Sequence, residues 1–288
     1  MQALKLFEYL EPKTVDEAVQ ILSKHGAKAK ALAGGTDLVV SLRKRLLNPQ
    51  YMVYIKSIPG LDYIQYNQGD GLRIGAMATH ESIAESPIIR ENFGLLATAC
   101  GEVGTPQIRS MGTIGGNICM AGPSQDTPPA LLALDARLKL VGHGGERTVP
   151  IDEFFIAPFE TILGQAEILT EIHIPSLPTA SAGYYQWITK MSSVDETLVG
   201  VAVVMTAGSV DGICKDIKIG LCSVAPTPIR ARRAEELLRG NKIEDKLVEQ
   251  VAQVAADETT PRSRADYRRK MTGILVKRAI NETWRNIR

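Results

Sequence analysis

The stretch Gln107-Ile-Arg-Ser-Met-Gly-Thr-Ile-Gly-Gly-Asn117 is the part of the chain that decides how the rest is interpreted. It lies within residues 101–129, which carry six glycines and few helix-forming residues. A glycine-rich segment of this length in a globular protein usually lets the backbone approach another group closely. In Thr113-Ile114-Gly115-Gly116-Asn117, glycine amides, a hydroxyl and a carboxamide together are suited to binding an anion.

A second segment of the same kind is Ala33-Gly34-Gly35-Thr36-Asp37. It follows a predicted strand over 29–33 and precedes a predicted helix over 38–47. A single Gly-Gly pair after a strand is most often only a turn. Two such segments, each with polar side chains beside the glycines, favour a ligand with two adjacent phosphates. The chain has neither GxxxxGK[ST] nor GxGxxG, which argues against P-loop and Rossmann nucleotide sites.

The order of predicted elements divides the chain of 288 residues into three parts. Residues 1–57 are predicted to form a small α/β unit, whose first helix begins with the capping box Thr14-Val-Asp-Glu17 and ends at Gly26. Residues 58–175 are predicted to form a second α/β unit, and residues 175–178 a boundary. Residues 179–288 place strands before helices, which is typical of an α+β sandwich.

Composition excludes several classes of protein. The formal net charge is +1, so no overall field favours nucleic acid. Neither an apolar run long enough to span a membrane nor a secretory signal is present, and we expect a cytoplasmic protein. The cysteines at 100, 119, 214 and 222 form no CxxC pair, and this pattern predicts neither an iron–sulfur nor a zinc site on this chain.

Candidates for acid–base or nucleophilic chemistry are few. The four histidines are far apart in sequence, and no GxSxG motif is present. Asp126 is predicted either to cap the helix that begins near Ala130 or to accept a hydrogen bond from a ligand. A site with anion-binding loops but no catalytic cluster suits a protein whose cofactor carries the chemistry. We therefore assign no catalytic residue and no metal ligand.

Residues 107–117 resemble the signature of the FAD-binding medium subunits of molybdenum hydroxylases. This family includes carbon monoxide dehydrogenase, nicotinate dehydrogenase and the flavin domain of xanthine dehydrogenase. Residues 33–37 resemble the family's first FAD loop, Ile74-Gly-Ala-Met-Ala-Thr79 resembles a connecting segment, and the similarity covers essentially the whole chain. The resemblance implies an α+β protein: a vanillyl-alcohol-oxidase or PCMH-type FAD-binding domain of two α/β subdomains over 1–175, and a C-terminal α+β domain over 179–288.

The resemblance also implies which residues bind FAD. The two glycine segments would hold the pyrophosphate and ribityl chain, Val103 and Leu169 would contact the flavin, and Asp126 would be a carboxylate ligand. Where many relatives carry a lysine this chain has Trp187, so Lys190 is the nearest cation, and Met191, Ser192 and Ser193 replace arginines of relatives. The implied cofactor-binding residues are Ala33, Gly34, Gly35, Thr36, Asp37, Val103, Thr113, Ile114, Gly115, Gly116, Asn117, Asp126, Leu169 and Lys190.

The function that the resemblance implies is electron transfer within a larger oxidoreductase. Electrons would come from [2Fe-2S] clusters on a small subunit and pass through FAD to an external acceptor, while a large subunit would hold molybdopterin. The expected assembly is a dimer of heterotrimers. Two alternatives stay open: a self-contained flavin oxidase or reductase of the same fold, and a flavin-free scaffold subunit whose glycine loops are only turns.

Overall fold

The computed structural model describes residues 4–191, 194–208 and 212–287. The first half of the chain contains these elements in order: β1 (Glu8–Leu10), α1 (Val15–His25), β2 (Ala29–Leu32), α2 (Leu38–Arg43), β3 (Tyr51–Tyr54), β4 (Ile64–Asn67), β5 (Gly71–Gly75), α3 (His80–Glu85), α4 (Pro87–Asn92), α5 (Gly94–Gly101), α6 (Pro106–Met111), α7 (Ile114–Met120) and α8 (Thr127–Ala133). The second half contains β6 (Arg137–Gly142), β7 (Gly145–Pro150), β8 (Phe155–Ala157), β9 (Glu160–Thr161), β10 (Ile168–Ile174), β11 (Ser181–Thr189), β12 (Thr197–Ala207), β13 (Cys214–Cys222), β14 (Ile229–Arg230), α9 (Arg232–Leu238), α10 (Asp245–Asp257) and α11 (Ala265–Ile287).

The first unit is a three-stranded parallel sheet in the order β1-β3-β2. Its first helix is capped nearly as predicted: the Thr14 hydroxyl accepts the Glu17 amide at 3.1 Å, but the Glu17 carboxylate accepts the Lys13 amide instead of that of Thr14. Helix α2 ends at Arg43, four residues before the predicted end, and Arg45 adopts a left-handed φ of 57°. A left-handed residue cannot continue a right-handed helix.

The second unit is a five-stranded antiparallel sheet in the order β4-β5-β10-β6-β7. Although residues 101–129 contain few helix-forming residues, α6, α7 and the start of α8 lie there. Thr105 and Thr113 supply the caps, accepting the amides of Ile108 at 3.3 Å and of Gly116 at 3.1 Å. The amides of a helix's first turn have no partner within the helix, and a capping side chain supplies one. Such caps favour these short helices in spite of their glycine content.

The third unit is a four-stranded antiparallel sheet in the order β11-β12-β13-β14, covered by α9, α10 and α11. On β12, alternate residues face two different cores. Val201 and Val203 pack with the C-terminal helices, whereas Ala202 and Val204 pack with the core of the first two units. Burial on both faces explains why this strand is apolar without alternation.

Strand β10 ends at Ile174 and β11 begins at Ser181. The predicted domain limits stay a prediction. Residues of β11 and β12 pack into both hydrophobic cores. The α+β class itself is confirmed. Within the described ranges, no helix is long and apolar enough to cross a membrane.

Candidate functional site

The two glycine segments meet at the peptide between Met111 and Gly112. A Cβ atom on Gly34 would lie 2.1 Å from the Met111 carbonyl oxygen and 2.8 Å from the Gly112 Cα. A Cβ on Gly112 would in turn lie 3.5 Å from the Thr36 hydroxyl. Only glycine at 34 permits this approach, so the first segment sits directly against the residues that lead into the second.

The first segment, residues 33–37, presents unused backbone donors. Gly35 has a φ of +76°, a left-handed conformation that glycine adopts without strain. Its carbonyl accepts the Val39 amide at 2.9 Å, which fixes the turn into α2. In the described part of the chain, the amides of residues 34–37 donate no hydrogen bond to protein. Four adjacent unpartnered amides at a strand-to-helix turn are a suitable site for phosphate oxygens.

The second segment differs from the expectation of free glycine amides. The Ile114 amide donates to the Ala78 carbonyl at 3.0 Å, and the Gly115 amide to the Ala76 carbonyl at 2.9 Å. The Gly116 amide donates to the Thr113 hydroxyl, which caps α7. A Cβ on Gly115 would lie 2.7 Å from the Ala76 oxygen. These glycines therefore serve the close packing of α7, and their amides are already paired within the protein.

The second segment nevertheless borders the first. A Cβ on Gly116 would lie 3.8 Å from the Ala33 Cβ, which places the start of α7 beside residue 33. The side-chain oxygen of Asn117 accepts the Thr127 hydroxyl at 2.6 Å. Since that bond uses the oxygen, the amino group of Asn117 is the part of the side chain left to donate to a ligand.

Asp126 connects the N-terminal units to the C-terminal sheet. Its Oδ1 accepts the Thr197 hydroxyl at 2.6 Å and the Tyr185 hydroxyl at 3.1 Å. Burial raises the pKa of this carboxyl to about 6, and the two hydroxyls oppose that rise. The alternative role as a helix cap is wrong, because the Asp126 side chain accepts no cap bond from α8. A half-buried carboxylate held by two donors, at the junction of two units, is typical of a functional site.

Of the two predicted apolar flavin contacts, Val103 lies between α5 and α6, and Leu169 lies on β10. Val103 follows Glu102, and its amide donates to the Cys100 carbonyl at 3.3 Å. Leu169 is buried on β10 and precedes Thr170, whose carbonyl accepts the Ala76 amide at 2.9 Å. Through Ala76, Leu169 is close to the second segment.

Lys190 is exposed at the end of β11 and forms no ion pair with the described residues. It directly follows Thr189, which is paired with Thr197 across β11 and β12. Trp187 stacks on Tyr185, with ring centroids 5.6 Å apart. Ser192 and Ser193 lie outside the described residues.

Sequence reasoning missed three residues at the site: Tyr185 and Thr197, which hold Asp126, and Lys56, which donates to the Met111 carbonyl at 2.9 Å. Lys56 comes shortly after β3, which is parallel to β2, the strand that leads into the first segment. A lysine after an apolar run at 51–55 was the usable signal in the sequence. The four cysteines are free thiols, and no group of metal-binding side chains exists among the described residues.

Two family models together match most of the chain. Residues 5–177 match the family model described as the FAD binding domain in molybdopterin dehydrogenase. Residues 184–283 match the CO dehydrogenase flavoprotein C-terminal domain.

Individual relatives match nearly the whole length of the chain. The carbon monoxide dehydrogenase medium chain of Hydrogenophaga pseudoflava is 36% identical over 282 residues, which are 96% of this chain and 97% of that one. The glyceraldehyde dehydrogenase medium chain of Sulfolobus acidocaldarius is 30% identical over 280 residues, 96% of this chain and 98% of that one.

Solved structures show the same architecture. A chain of carbon monoxide dehydrogenase from Hydrogenophaga pseudoflava superposes with a TM-score of 0.93 at 36% identity, covering 98% of this chain and 99% of that one. A chain of quinoline 2-oxidoreductase from Pseudomonas putida 86 gives a TM-score of 0.91 at 25% identity, with 99% of both chains covered. The chain therefore belongs to the oxidoreductase family of FAD-binding medium subunits of molybdenum hydroxylases.

Proposed function

We propose that this chain is the electron-transfer subunit of a multi-subunit molybdenum hydroxylase, in which electrons from [2Fe-2S] clusters on a small partner leave through FAD to an external acceptor. A large partner would hold molybdopterin and the substrate. The support is that full-length relatives are described as medium chains of dehydrogenases. We further propose a dimer of such heterotrimers in the cytoplasm, where the four free thiols would stay reduced.

The observation that carries this proposal is the set of unpartnered amides at residues 34–37, held against the Met111–Gly112 peptide by a glycine that tolerates no side chain. In this assignment these amides bind the FAD pyrophosphate. Thr36 and Asn117 would donate to oxygens of the same cofactor. The residues present therefore fit a dinucleotide with two adjacent phosphates.

When bound, FAD supplies the exchange between one-electron and two-electron carriers. The chain supplies binding and orientation. Val103 and Leu169 would provide apolar contact with the flavin, and Asp126 would form a hydrogen bond with one of its polar groups. Tyr185 and Thr197 hold Asp126 from the C-terminal sheet, so the N-terminal units and the C-terminal unit build the flavin environment together.

The test is the visible absorption spectrum of the purified chain, before and after heat denaturation. We expect flavin bands and release of FAD. Gly34→Ala should abolish FAD uptake, because its Cβ would meet the Met111 carbonyl. Gly94→Ala is the matched control, since a Cβ there meets no atom within 4 Å.

Each result separates the possible functions. A colourless chain that takes up no FAD, alone or coexpressed with its partner subunits, would support the flavin-free scaffold. A flavoprotein that oxidises a substrate without partners would support a self-contained flavoenzyme. Reduction of the bound flavin only in the presence of a small iron–sulfur subunit and a molybdenum subunit would support the proposal.

A further inference from the structure

Lys56 lies at the same sheet edge as the first glycine segment. Strands β2 and β3 are parallel neighbours, and the Ile55 amide donates to the Leu32 carbonyl at 3.0 Å, just beyond the last strand residues. Lys56 is the next residue after Ile55. The carboxyl ends of neighbouring parallel strands meet at one edge, and ligands commonly bind there.

The Lys56 ammonium group reaches the peptide at which the two glycine segments meet. Its Nζ donates to the Met111 carbonyl at 2.9 Å. The same oxygen lies 2.1 Å from the position that a Gly34 Cβ would take. Because both distances end on one oxygen, the ammonium group lies close to Gly34, the residue that begins the run of unpartnered amides.

This cation has no counter-ion within the described residues. Lys56 is half-buried, and burial lowers the pKa of its ammonium group without a contribution from any charged partner. The carboxylate of the first segment, Asp37, is not paired with it; burial alone raises the pKa of Asp37. An ammonium group has three N–H donors, and the Met111 carbonyl uses one, so two donors of Lys56 stay available for an anion.

We propose that Lys56 binds the diphosphate of FAD together with the amides of residues 34–37. This inference rests on the proposed FAD site and adds a specific ligand to it. A lysine ammonium group binds phosphate mainly through its compact positive charge. Backbone amides bind it through directional hydrogen bonds. The contribution of Lys56 should therefore depend on the two phosphates and not on the isoalloxazine ring.

The experiment compares Lys56→Met with wild-type protein stripped of its flavin. The dissociation constant is measured by flavin fluorescence for FAD and for riboflavin, which lacks phosphates. We expect Lys56→Met to weaken FAD binding about 10- to 100-fold, the effect of losing a hydrogen bond to a charged group, and to leave riboflavin binding unchanged. Lys56→Arg should recover part of the affinity, and Lys215→Met, on an exposed lysine of β13, is the matched control.

A second measurement keeps the inference testable if Lys56→Met folds poorly. The FAD dissociation constant of the wild-type chain should rise with ionic strength, whereas that of riboflavin should not, because salt screens only the charge contact.

Wild-type affinity for FAD in a folded Lys56→Met variant, or an FAD affinity insensitive to salt, would overturn the inference while leaving the proposed function intact. A wild-type chain that binds no FAD in any form would overturn both.

Discussion

Replacing Asp126 with asparagine should stabilise the flavin-free chain at neutral pH, and the effect should disappear in acid. Burial raises the pKa of Asp126 from 3.8 in the unfolded chain to about 6. Between these two values the folded chain binds one more proton than the unfolded chain, so the free energy of unfolding falls as the pH rises. Asparagine keeps an oxygen that can accept from Thr197 and Tyr185, but it carries no charge.

The magnitude follows from the size of the shift. Each pKa unit corresponds to about 1.4 kcal/mol, so a shift of roughly two units costs the wild-type chain about 3 kcal/mol above pH 6. Asp126 is not completely enclosed, and solvent screening reduces this to about 2–3 kcal/mol. Asp126→Asn should regain that amount at pH 7 and almost none at pH 4.

The assay is urea denaturation of the flavin-free chain between pH 4 and 8, followed by tryptophan fluorescence. Trp187 stacks on Tyr185, which donates to Asp126, so the fluorescence reports on this region. Asp16→Asn, in the exposed first turn of α1, is the matched control. A difference between Asp126→Asn and wild type that is the same at pH 4 and pH 7 would refute the reasoning. So would a destabilised variant at pH 7.

Three further substitutions test the packing that holds the site. Arg230→Met should destabilise the chain by about 3–5 kcal/mol in thermal or urea unfolding, because it leaves the buried Glu235 carboxylate without its guanidinium partner at 2.6 Å; a loss below 1 kcal/mol would contradict this. Gly220→Ala should lower the free energy of unfolding by about 1–3 kcal/mol, since its Cβ would lie 2.1 Å from the Pro129 carbonyl oxygen, where the C-terminal sheet meets α8. An unchanged melting temperature would show that this interface accommodates the added methyl group. Thr14→Ala should lower stability by about 1 kcal/mol through loss of the α1 cap, and Thr14→Ser should restore it.

Much of the local structure follows from short-range pattern. The Thr14 cap and the Gly26 stop delimit α1, and the turn between β6 and β7 lies between Gly142 and Gly145. The short helices over residues 101–129 were not predicted, because their glycine content disfavours helix and only threonine capping indicates their starts. Thr105 and Thr113 each place a hydroxyl on an amide three residues later, a spacing that the sequence already contained.

The candidate site was only partly predictable for a different reason. Glycine at 34 and 35 indicates where the backbone turns and approaches another group, but not which amides stay unpaired. Among the described residues, the amides of 34–37 have no acceptor, whereas the amides of Ile114 and Gly115 donate to the carbonyls of Ala78 and Ala76. Pairing of these amides depends on a segment more than 30 positions away, which no local pattern specifies.

The sequence by itself determined the family, the α+β class and the two glycine segments, because each depends on short motifs or on local periodicity. Tertiary structure alone decided what surrounds them. It brings Tyr185 and Thr197 to Asp126 from 59 and 71 positions away, and Lys56 to Met111 from 55 positions away. The charge state of Asp126 follows from burial and from these distant partners, and so does the position of the Lys56 ammonium, which forms no ion pair with the residues that the structure describes. Burial depends on the packing of several units against each other, and for that reason only the folded chain defines it.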